Sequence, residues 1–292
     1  MGVFDKDLFG KSKYDISIEY LQVFMPREGY YVAFSGGKDS IVLKKLAKLA
    51  KVKYDIHHSH TTVDAPELIY YIRQYHKDVK INYSDTTMWK LIPKKKMPPT
   101  RIVRYCCSEL KEEGGIGRFV MTGVRWDESS KRKNIRKLVE FDAYGSQSKA
   151  AKENRQIFLN SDNDAKRKMI ETCVVKGKHI INPIVNWTTE DVWEFIHYFE
   201  LPYCELYDEG FDRIGCVGCP MQGCKGMERD FERWPKYKDN YIRAFDRMLI
   251  ERKKAGIDKG WKNGEEVFDW WLYGGGSEGE LTPLEKMIME AS

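Results

Sequence analysis

The chain lacks any apolar run near the roughly 18 residues that a membrane-spanning helix needs. Residues 1–13 also lack the charged-then-apolar pattern of a secretory signal peptide. Both absences predict a soluble, cytoplasmic protein with no membrane partner. Hydrophobic residues make up 42% of the 292 positions, enough for a packed core, so global disorder is excluded. This length allows one large domain or two modest ones.

Cysteine is sparse, and its count of seven is odd. Without an export signal, an odd number argues against a disulfide framework and favours thiol or metal chemistry. The excess of positive charge is also small, at +5. That balance permits a nucleic-acid partner without requiring one.

A Walker A loop is absent as well, although a phosphate-binding loop is indicated. The apolar strand Tyr30–Phe34 runs into the sequence SGGKDS, residues 35–40, and then into a helix-like run ending at Ala50. Two glycines let the backbone approach an anion, and the first turn of a helix presents unpaired N–H groups. Because Asp39 separates Lys38 from the following serine, the Walker A pattern and its usual β–γ hydrolysis are disfavoured.

Strands and helices alternate along the chain, which predicts an α/β fold with a parallel sheet and covering helices. Residues 1–200 are predicted to form a nucleotide-binding α/β domain with an N-terminal helix, and residues 201–292 a mostly helical portion. The segment 131–165 has no clear period and is predicted to be an insertion or mobile loop. The predicted strands are Tyr30–Phe34, Tyr54–Ser59, Val79–Tyr83, Phe119–Val124 and Ile180–Val185; the predicted helices are Asp15–Phe24, Asp39–Ala50, one capped by Asp64 and reaching Tyr75, one capped by Thr188 or Thr189, and Arg229–Ala255.

Four of the cysteines fall into two pairs, Cys106-Cys107 and Cys216-x-x-Cys219. Together they offer the four thiolates that an iron–sulfur cluster or zinc requires. Adjacent cysteines strain a tetrahedral zinc site, so a cluster is the favoured reading. A thioredoxin-like redox pair and ordinary buried thiols are the alternatives. Cys224 lies close enough in sequence to replace one ligand.

Five motifs together resemble the phosphoadenylyl-sulfate reductase-like family of the PP-loop ATP pyrophosphatases, over about residues 30–220. The resemblance implies a Rossmann-like, adenine nucleotide α-hydrolase-like fold that uses ATP and Mg²⁺ and cleaves between the α- and β-phosphates. In cluster-bearing members the paired cysteines, here Cys106, Cys107, Cys216 and Cys219, hold a 4Fe-4S centre. The motifs are Ser35–Ser40, Tyr105–Lys111, Thr122–Ser129, Pro183–Trp187 and Arg213–Pro220.

The resemblance also assigns candidate roles. Lys38 is expected to stabilise the pyrophosphate leaving group, Asp39 to position the metal, and Arg125 to lie near the nucleotide or the acceptor. The expected nucleotide-binding residues are Ser35, Gly36, Gly37, Lys38, Asp39, Ser40, Gly123 and Glu128.

Two features select among family members. True sulfonucleotide reductases typically do not keep the SGGKDS loop and use a C-terminal cysteine, whereas this loop is intact and residues 225–292 contain no cysteine. An intact loop with cluster cysteines resembles the ATP-pyrophosphatase component of DNA phosphorothioation systems and the cluster-bearing tRNA-thiolating enzymes. This implies adenylation of an acceptor oxygen, expected on a nucleic acid, followed by sulfur transfer, with a cysteine desulfurase as the sulfur donor. A sulfonucleotide reductase and a non-catalytic nucleotide-binding module remain the alternatives.

Two basic clusters fit a polyanionic acceptor, because each cation that neutralises a phosphate releases counterions. The same clusters are also compatible with an ordinary solvated surface. The acceptor itself stays open among DNA, RNA, sulfate and a small molecule. The clusters are Lys90, Lys94, Lys95, Lys96, Arg101 and Arg104, and Lys131, Arg132, Lys133, Arg136 and Lys137.

Overall fold

The structure is a computed structural model that describes residues 2–101, 103–111, 114–142, 170–173, 179–257 and 260–274. Seven strands form one sheet in the order β3-β2-β1-β4-β7-β5-β6. This architecture confirms the predicted Rossmann-like α/β fold. The strands are β1 Tyr30–Ala33, β2 Tyr54–His60, β3 Lys80–Tyr83, β4 Phe119–Met121, β5 Val139–Asp142, β6 Ile170–Cys173 and β7 His179–Ile181.

The middle of the sheet is parallel. Strand β1 pairs in parallel with β2 and β4, and β4 pairs in parallel with β7. Three of the four β1 residues are buried, as expected for a strand covered on both faces. Strand β5 instead runs antiparallel to β7 and parallel to β6.

The sequence pattern missed part of this sheet. The segment 131–165 was expected to be a loop, but it contains the end of a helix, Ser130–Ile135, and the whole of β5. Strand β6 was not predicted either. Four-residue strands with mixed polarity carry little periodicity, so their pairing with neighbouring strands decides their conformation. Residues 143–165 of the predicted loop lie outside the described part of the chain.

The helices begin where the sequence offers caps. Ser12 forms a capping box with Asp15, and Thr188 forms one with Asp191, which confirms the predicted cap at Thr188. The predicted helical portion 229–255 is helical and is divided between two helices, because Pro235 begins a new one. The helices are α1 Lys13–Val23, α2 Lys38–Leu49, α3 Pro66–Tyr75, α4 Met88–Lys95, α5 Tyr105–Leu110, α6 Ser130–Ile135, α7 Thr189–Tyr198, α8 Gly223–Arg233, α9 Pro235–Lys254 and α10 Gly264–Asp269.

The chain divides into two compact units. The first comprises Met1–His58, Glu67–Ile81 and Gly114–Ile214, and the second comprises Ser59–Pro66, Asn82–Glu113 and Gly215–Ser292. Each unit therefore combines segments that are distant in sequence. A functional division near residue 200 remains a prediction from the sequence. None of the helices within the described ranges is both long and apolar enough to cross a membrane.

Candidate functional site

The SGGKDS loop lies in the first unit, between the end of β1 at Ala33 and the start of α2 at Lys38. Gly36 has φ +79°, and a Cβ there would lie 2.5 Å from Leu68 Cδ1, so only glycine fits. The Ser40 hydroxyl donates to the Gly37 carbonyl at 2.8 Å, and Ser35 Oγ accepts from the Gly37 N–H at 3.3 Å. The loop is thus held by its own side chains at the N-terminus of a twelve-residue helix.

Lys38 is buried, and both of its donor groups have partners in the segment 207–212. Its main-chain N–H donates to the Tyr207 hydroxyl at 2.8 Å, and its ammonium donates to the Asp212 carbonyl at 2.8 Å. Burial lowers the pKa of Lys38 and raises the pKa of Tyr207, so the phenol stays protonated. No sequence pattern identified Tyr207 as part of this site.

Asp39 is fixed by Arg125. The Arg125 Nε donates to Asp39 Oδ1 at 2.6 Å, and its side chain is only 2% exposed. The same guanidinium lies 3.3 Å from both Thr189 Oγ1 and Asp127 Oδ2. Asp127 in turn accepts from the N–H and the hydroxyl of Thr189, and these bonds lower the pKa of Asp127. The structure therefore brings together two predicted catalytic residues and adds two that sequence reasoning did not select.

Gly123 and Glu128 complete this part of the site in different ways. A Cβ on Gly123 would lie 2.9 Å from Asp39 Cβ, so the chain approaches α2 closely here. Glu128 Oε2 accepts from the Arg125 main-chain N–H at 3.0 Å and also bonds Arg132. Glu128 thus contacts the main chain of Arg125, whereas Gly123 lies directly against Asp39.

The paired cysteines lie in the second unit. Cys106 and Cys107 are on α5, and Cys216 forms an isolated bridge with Asp64. All four paired cysteines, including Cys219, are free thiols and partly exposed. The two pairs, far apart in sequence, belong to the same compact unit.

The electrostatics show that these thiols influence one another. A hydrogen bond with Cys107, then burial, then the nearby charges of Cys107, Cys216 and Cys219 raise the pKa of Cys106. The bond from Cys106 lowers the pKa of Cys107, with a further contribution from Arg104, whose Nη2 lies 3.4 Å from Cys107 Sγ.

Two neighbouring groups contact the Cys216 thiol. The Cys216 thiol donates to Thr61 Oγ1 at 3.4 Å. The charge of Cys216 and a hydrogen bond to it raise the pKa of the Lys111 ammonium. Burial raises the pKa of Cys216 itself. Cys224, the alternative ligand, instead hydrogen-bonds Glu228.

The described residues do not form a ready-made metal-binding site. Within the described ranges, no group of three or more His, Cys, Asp or Glu side chains is arranged to hold a metal ion. The charges of Cys107, Cys216 and Cys219 all act on Cys106, so the four thiols lie in one region of the second unit, and their role as cluster ligands remains a prediction.

Most of this chain is similar in sequence to known proteins. Two uncharacterized proteins of Methanocaldococcus jannaschii are 26% identical over 230 residues and 28% identical over 238 residues. These matches cover 78% and 79% of this chain but 48% and 43% of the relatives, so the chain spans about half of their length. An adenosine 5'-phosphosulfate reductase of Oceanobacillus iheyensis is 36% identical over 77 residues, covering 26% of this chain and 28% of the reductase.

Among solved structures, a phosphoadenylyl-sulfate reductase from Candida auris aligns with a TM-score of 0.43 at 18% identity, covering 72% of this chain and 91% of its own. A Candida glabrata FMN adenylyltransferase in complex with ATP aligns with a TM-score of 0.42 at 16% identity, covering 70% of this chain and 61% of its own. The model of the phosphoadenosine phosphosulfate reductase domain matches residues 29–222, well over half of the chain. The chain therefore belongs to the phosphoadenosine phosphosulfate reductase domain family.

Proposed function

We propose that this protein is an ATP pyrophosphatase that cleaves ATP between the α- and β-phosphates and adenylates an acceptor oxygen for sulfur transfer. The observation that carries the proposal is the intact SGGKDS loop at the start of α2, with Asp39 held on the buried Arg125. A helix N-terminus with a glycine turn suits a polyphosphate. The adjacent carboxylate suits the cation that accompanies a polyphosphate.

The residues divide the work as follows. The β- and γ-phosphates lie against the turn at Gly36 and Gly37, and Lys38 stabilises the departing pyrophosphate by its charge. Arg125 is a positioning residue, because it contacts Asp39 and holds that carboxylate in one orientation. Asp39 offers an oxygen to Mg²⁺, which when bound supplies charge neutralisation to the phosphates.

Tyr207 and Asp212 occupy the two hydrogen-bond donors of Lys38 that a nucleotide would need. Their oxygens accept from the main-chain N–H and the ammonium of Lys38, which are the donors that a pyrophosphate would use. Nucleotide binding therefore exchanges these two hydrogen bonds for bonds to phosphate. The exchange is favourable because a bond from a cation to an anionic oxygen is stronger than one to a neutral carbonyl.

The cysteines of the second unit are proposed to hold a 4Fe-4S cluster through Cys106, Cys107, Cys216 and Cys219. When bound, such a cluster supplies redox and sulfur chemistry and ties together two distant chain segments. Arg104 and Lys111 lie beside Cys107 and Cys216, where their charges offset those of the thiolates. Cys224 is the substitute ligand if one of the four is not used.

The acceptor is proposed to be a nucleic acid, as in the phosphorothioation and tRNA-thiolation systems that the motifs resemble, with a cysteine desulfurase as sulfur donor. The second candidate function is sulfonucleotide reduction, favoured by the short matches to adenosine 5'-phosphosulfate reductases. The third is a nucleotide-binding module without turnover.

The deciding experiment uses ATP labelled at the α-phosphate with anaerobically purified protein, offered single-stranded DNA, duplex DNA and tRNA in separate reactions. Unlabelled pyrophosphate is expected, with the label either on the adenylated acceptor or, after water or an added sulfide displaces the adenylate, in AMP; labelled ADP would refute the proposal. A parallel reaction supplies adenylyl sulfate or phosphoadenylyl sulfate with thioredoxin. Sulfite at enzyme-like rates there would establish the reductase instead, and ATP binding without any product would establish the module.

A further inference from the structure

A groove runs between helices α4 and α9, both of which belong to the second unit. The groove is open to solvent and has a volume of about 340 Å³, large enough for one nucleobase. Its walls combine apolar and charged side chains rather than one kind alone. The lining residues are Trp89, Lys90, Pro93, Arg247, Ile250 and Glu251.

The floor of the groove is aromatic and held in place. The Trp89 ring packs edge-on against Tyr241, with ring centroids 5.1 Å apart, and Tyr241 is buried. Arg247 Nη2 lies 3.4 Å from the Trp89 carbonyl. Trp89 is only partly buried, and Ile250 beside it is 55% exposed. The groove therefore presents apolar surface to water at a defined position.

Positive charge follows the groove. Lys236, Arg243, Arg247 and Lys254 are all exposed and are spaced at i, i+7, i+11 and i+18 on α9. At 100° per residue these four positions fall within an arc of roughly 40°, in a stripe about 27 Å long. On α4, Lys90 and Lys94 are exposed. The acid of the groove, Glu251, pairs with Lys254 at 2.7 Å.

We propose that this α4–α9 groove binds a single-stranded nucleic acid, with phosphates along the basic stripe and an unstacked base on Trp89 and Ile250. A base face is accessible in a single strand but covered in a duplex, so the aromatic floor selects the single strand. The stripe carries four cations, of which Lys254 also pairs with Glu251, so it offers contacts to three or four phosphates. The inference rests on the proposed function, since it supplies the acceptor class for the adenylation reaction.

The test is fluorescence anisotropy with labelled 15-nucleotide DNA and RNA strands and a 15-base-pair duplex, without ATP, at several salt concentrations. We expect the single strands to bind more tightly than the duplex. The double variant Lys90→Glu/Arg247→Glu should weaken single-strand binding at least tenfold and lower the salt slope by about 1.4 for two lost contacts. The matched control Lys48→Glu/Lys77→Glu changes two exposed lysines of the first unit by the same net charge and should bind as the unaltered protein does.

Two further variants separate lost binding from lost folding. Ile250→Asp changes an exposed position and should weaken single-strand binding without lowering the melting temperature. Lys90→Glu/Lys94→Glu should have the same effect, because it keeps the contact between Arg247 and the Trp89 carbonyl. Equal binding by the groove and control variants would overturn the inference, as would duplex binding as tight as single-strand binding. Because the assay contains no ATP, failure of the proposed ATP cleavage leaves its result unchanged, and a groove variant that loses binding should still bind ATP.

Discussion

The SGGKDS loop and the paired cysteines, which form the cysteine site, are assembled in opposite ways. The loop is six consecutive residues, and Ser35 and Ser40 bond its own main chain. The cysteine site is assembled from Cys106-Cys107 and Cys216-Cys219, segments more than one hundred residues apart in the chain. A contiguous loop is shaped by local backbone geometry before any ligand arrives. A distributed site needs the tertiary fold to bring its parts into one region and a ligand to complete it.

The electrostatics of the two regions also differ. Around the loop, burial lowers the pKa of a cation, Lys38, whose ammonium rests on a neutral carbonyl. Among the paired cysteines the shifts are mixed: a hydrogen bond from Cys106 lowers the pKa of Cys107, while the pKa values of Cys106 and Cys216 are raised. A bound anion would favour the charged ammonium of Lys38, whereas Cys106 and Arg104 already favour the thiolate of Cys107.

The largest effect is expected when one of the paired cysteines of the cysteine site is replaced. Cys216→Ser and Cys219→Ser should each abolish the visible iron–sulfur absorbance of anaerobically purified protein, because the cluster loses one of its four ligands. Iron content by metal analysis is the measurement, and Cys224→Ser, which should keep full iron, is the control. Stoichiometric zinc with no iron in the unaltered protein would contradict the cluster, and absorbance retained in Cys219→Ser would move the assignment to Cys224.

The next largest effect is expected when the positive charge of Lys38 is removed. Lys38→Ala should lower the rate of AMP formation by roughly 10²–10³-fold, the usual cost of removing one group that stabilises developing charge. Lys48→Ala, on the exposed side of the same helix, should leave that rate unchanged. Iron content should be the same in both variants, since the cysteine site does not include these residues. Equal rates in the two variants would remove Lys38 from the mechanism.

A smaller effect is expected when one methyl group is added beside Asp39, compared with one added beside Cys216. Gly123→Ala places a Cβ 2.9 Å from Asp39 Cβ, so we expect destabilisation by about 1–3 kcal/mol and slower AMP formation as Asp39 moves from Arg125. Gly215→Ala, next to Cys216, meets no heavy atom within 4 Å and should change the free energy of unfolding little. Urea denaturation of both variants measures the difference, and equal stability would show that α2 yields to the added methyl.

The smallest effect concerns the phenol that contacts Lys38. Tyr207→Phe removes an oxygen that accepts from the Lys38 N–H and should tighten ATP binding about fivefold, in line with a net hydrogen bond of about 1 kcal/mol. Tyr203→Phe is the control, because its hydroxyl bonds Asp208 instead. Calorimetric titration with a non-hydrolysable ATP analogue gives the two dissociation constants. Weaker binding in Tyr207→Phe would mean that the phenol contacts the nucleotide rather than competing with it.

The structural elements that could be predicted are those that depend on local sequence signals. The strand before Ser35, the helix after Gly37 and the cap at Thr188 each depend on residues within a few positions, and the structure has all three. Helix α4 was missed because Pro93 lies inside it, and the lysines of this segment were interpreted as a basic cluster for a polyanionic acceptor or as a solvated surface, not as part of a helix. Its packing against α9 overrides that local signal.

The sequence by itself determined the α/β alternation, the glycine turn at the start of α2 and the pairing of cysteines by spacing. Only the tertiary structure decided that β5 runs antiparallel to β7, that Arg125 holds Asp39, and that Tyr207 contacts Lys38. Backbone conformation follows from neighbouring residues, whereas each of these contacts joins positions 40 to 170 residues apart. Such contacts form where packing of the whole unit places the groups, and no local pattern records that placement.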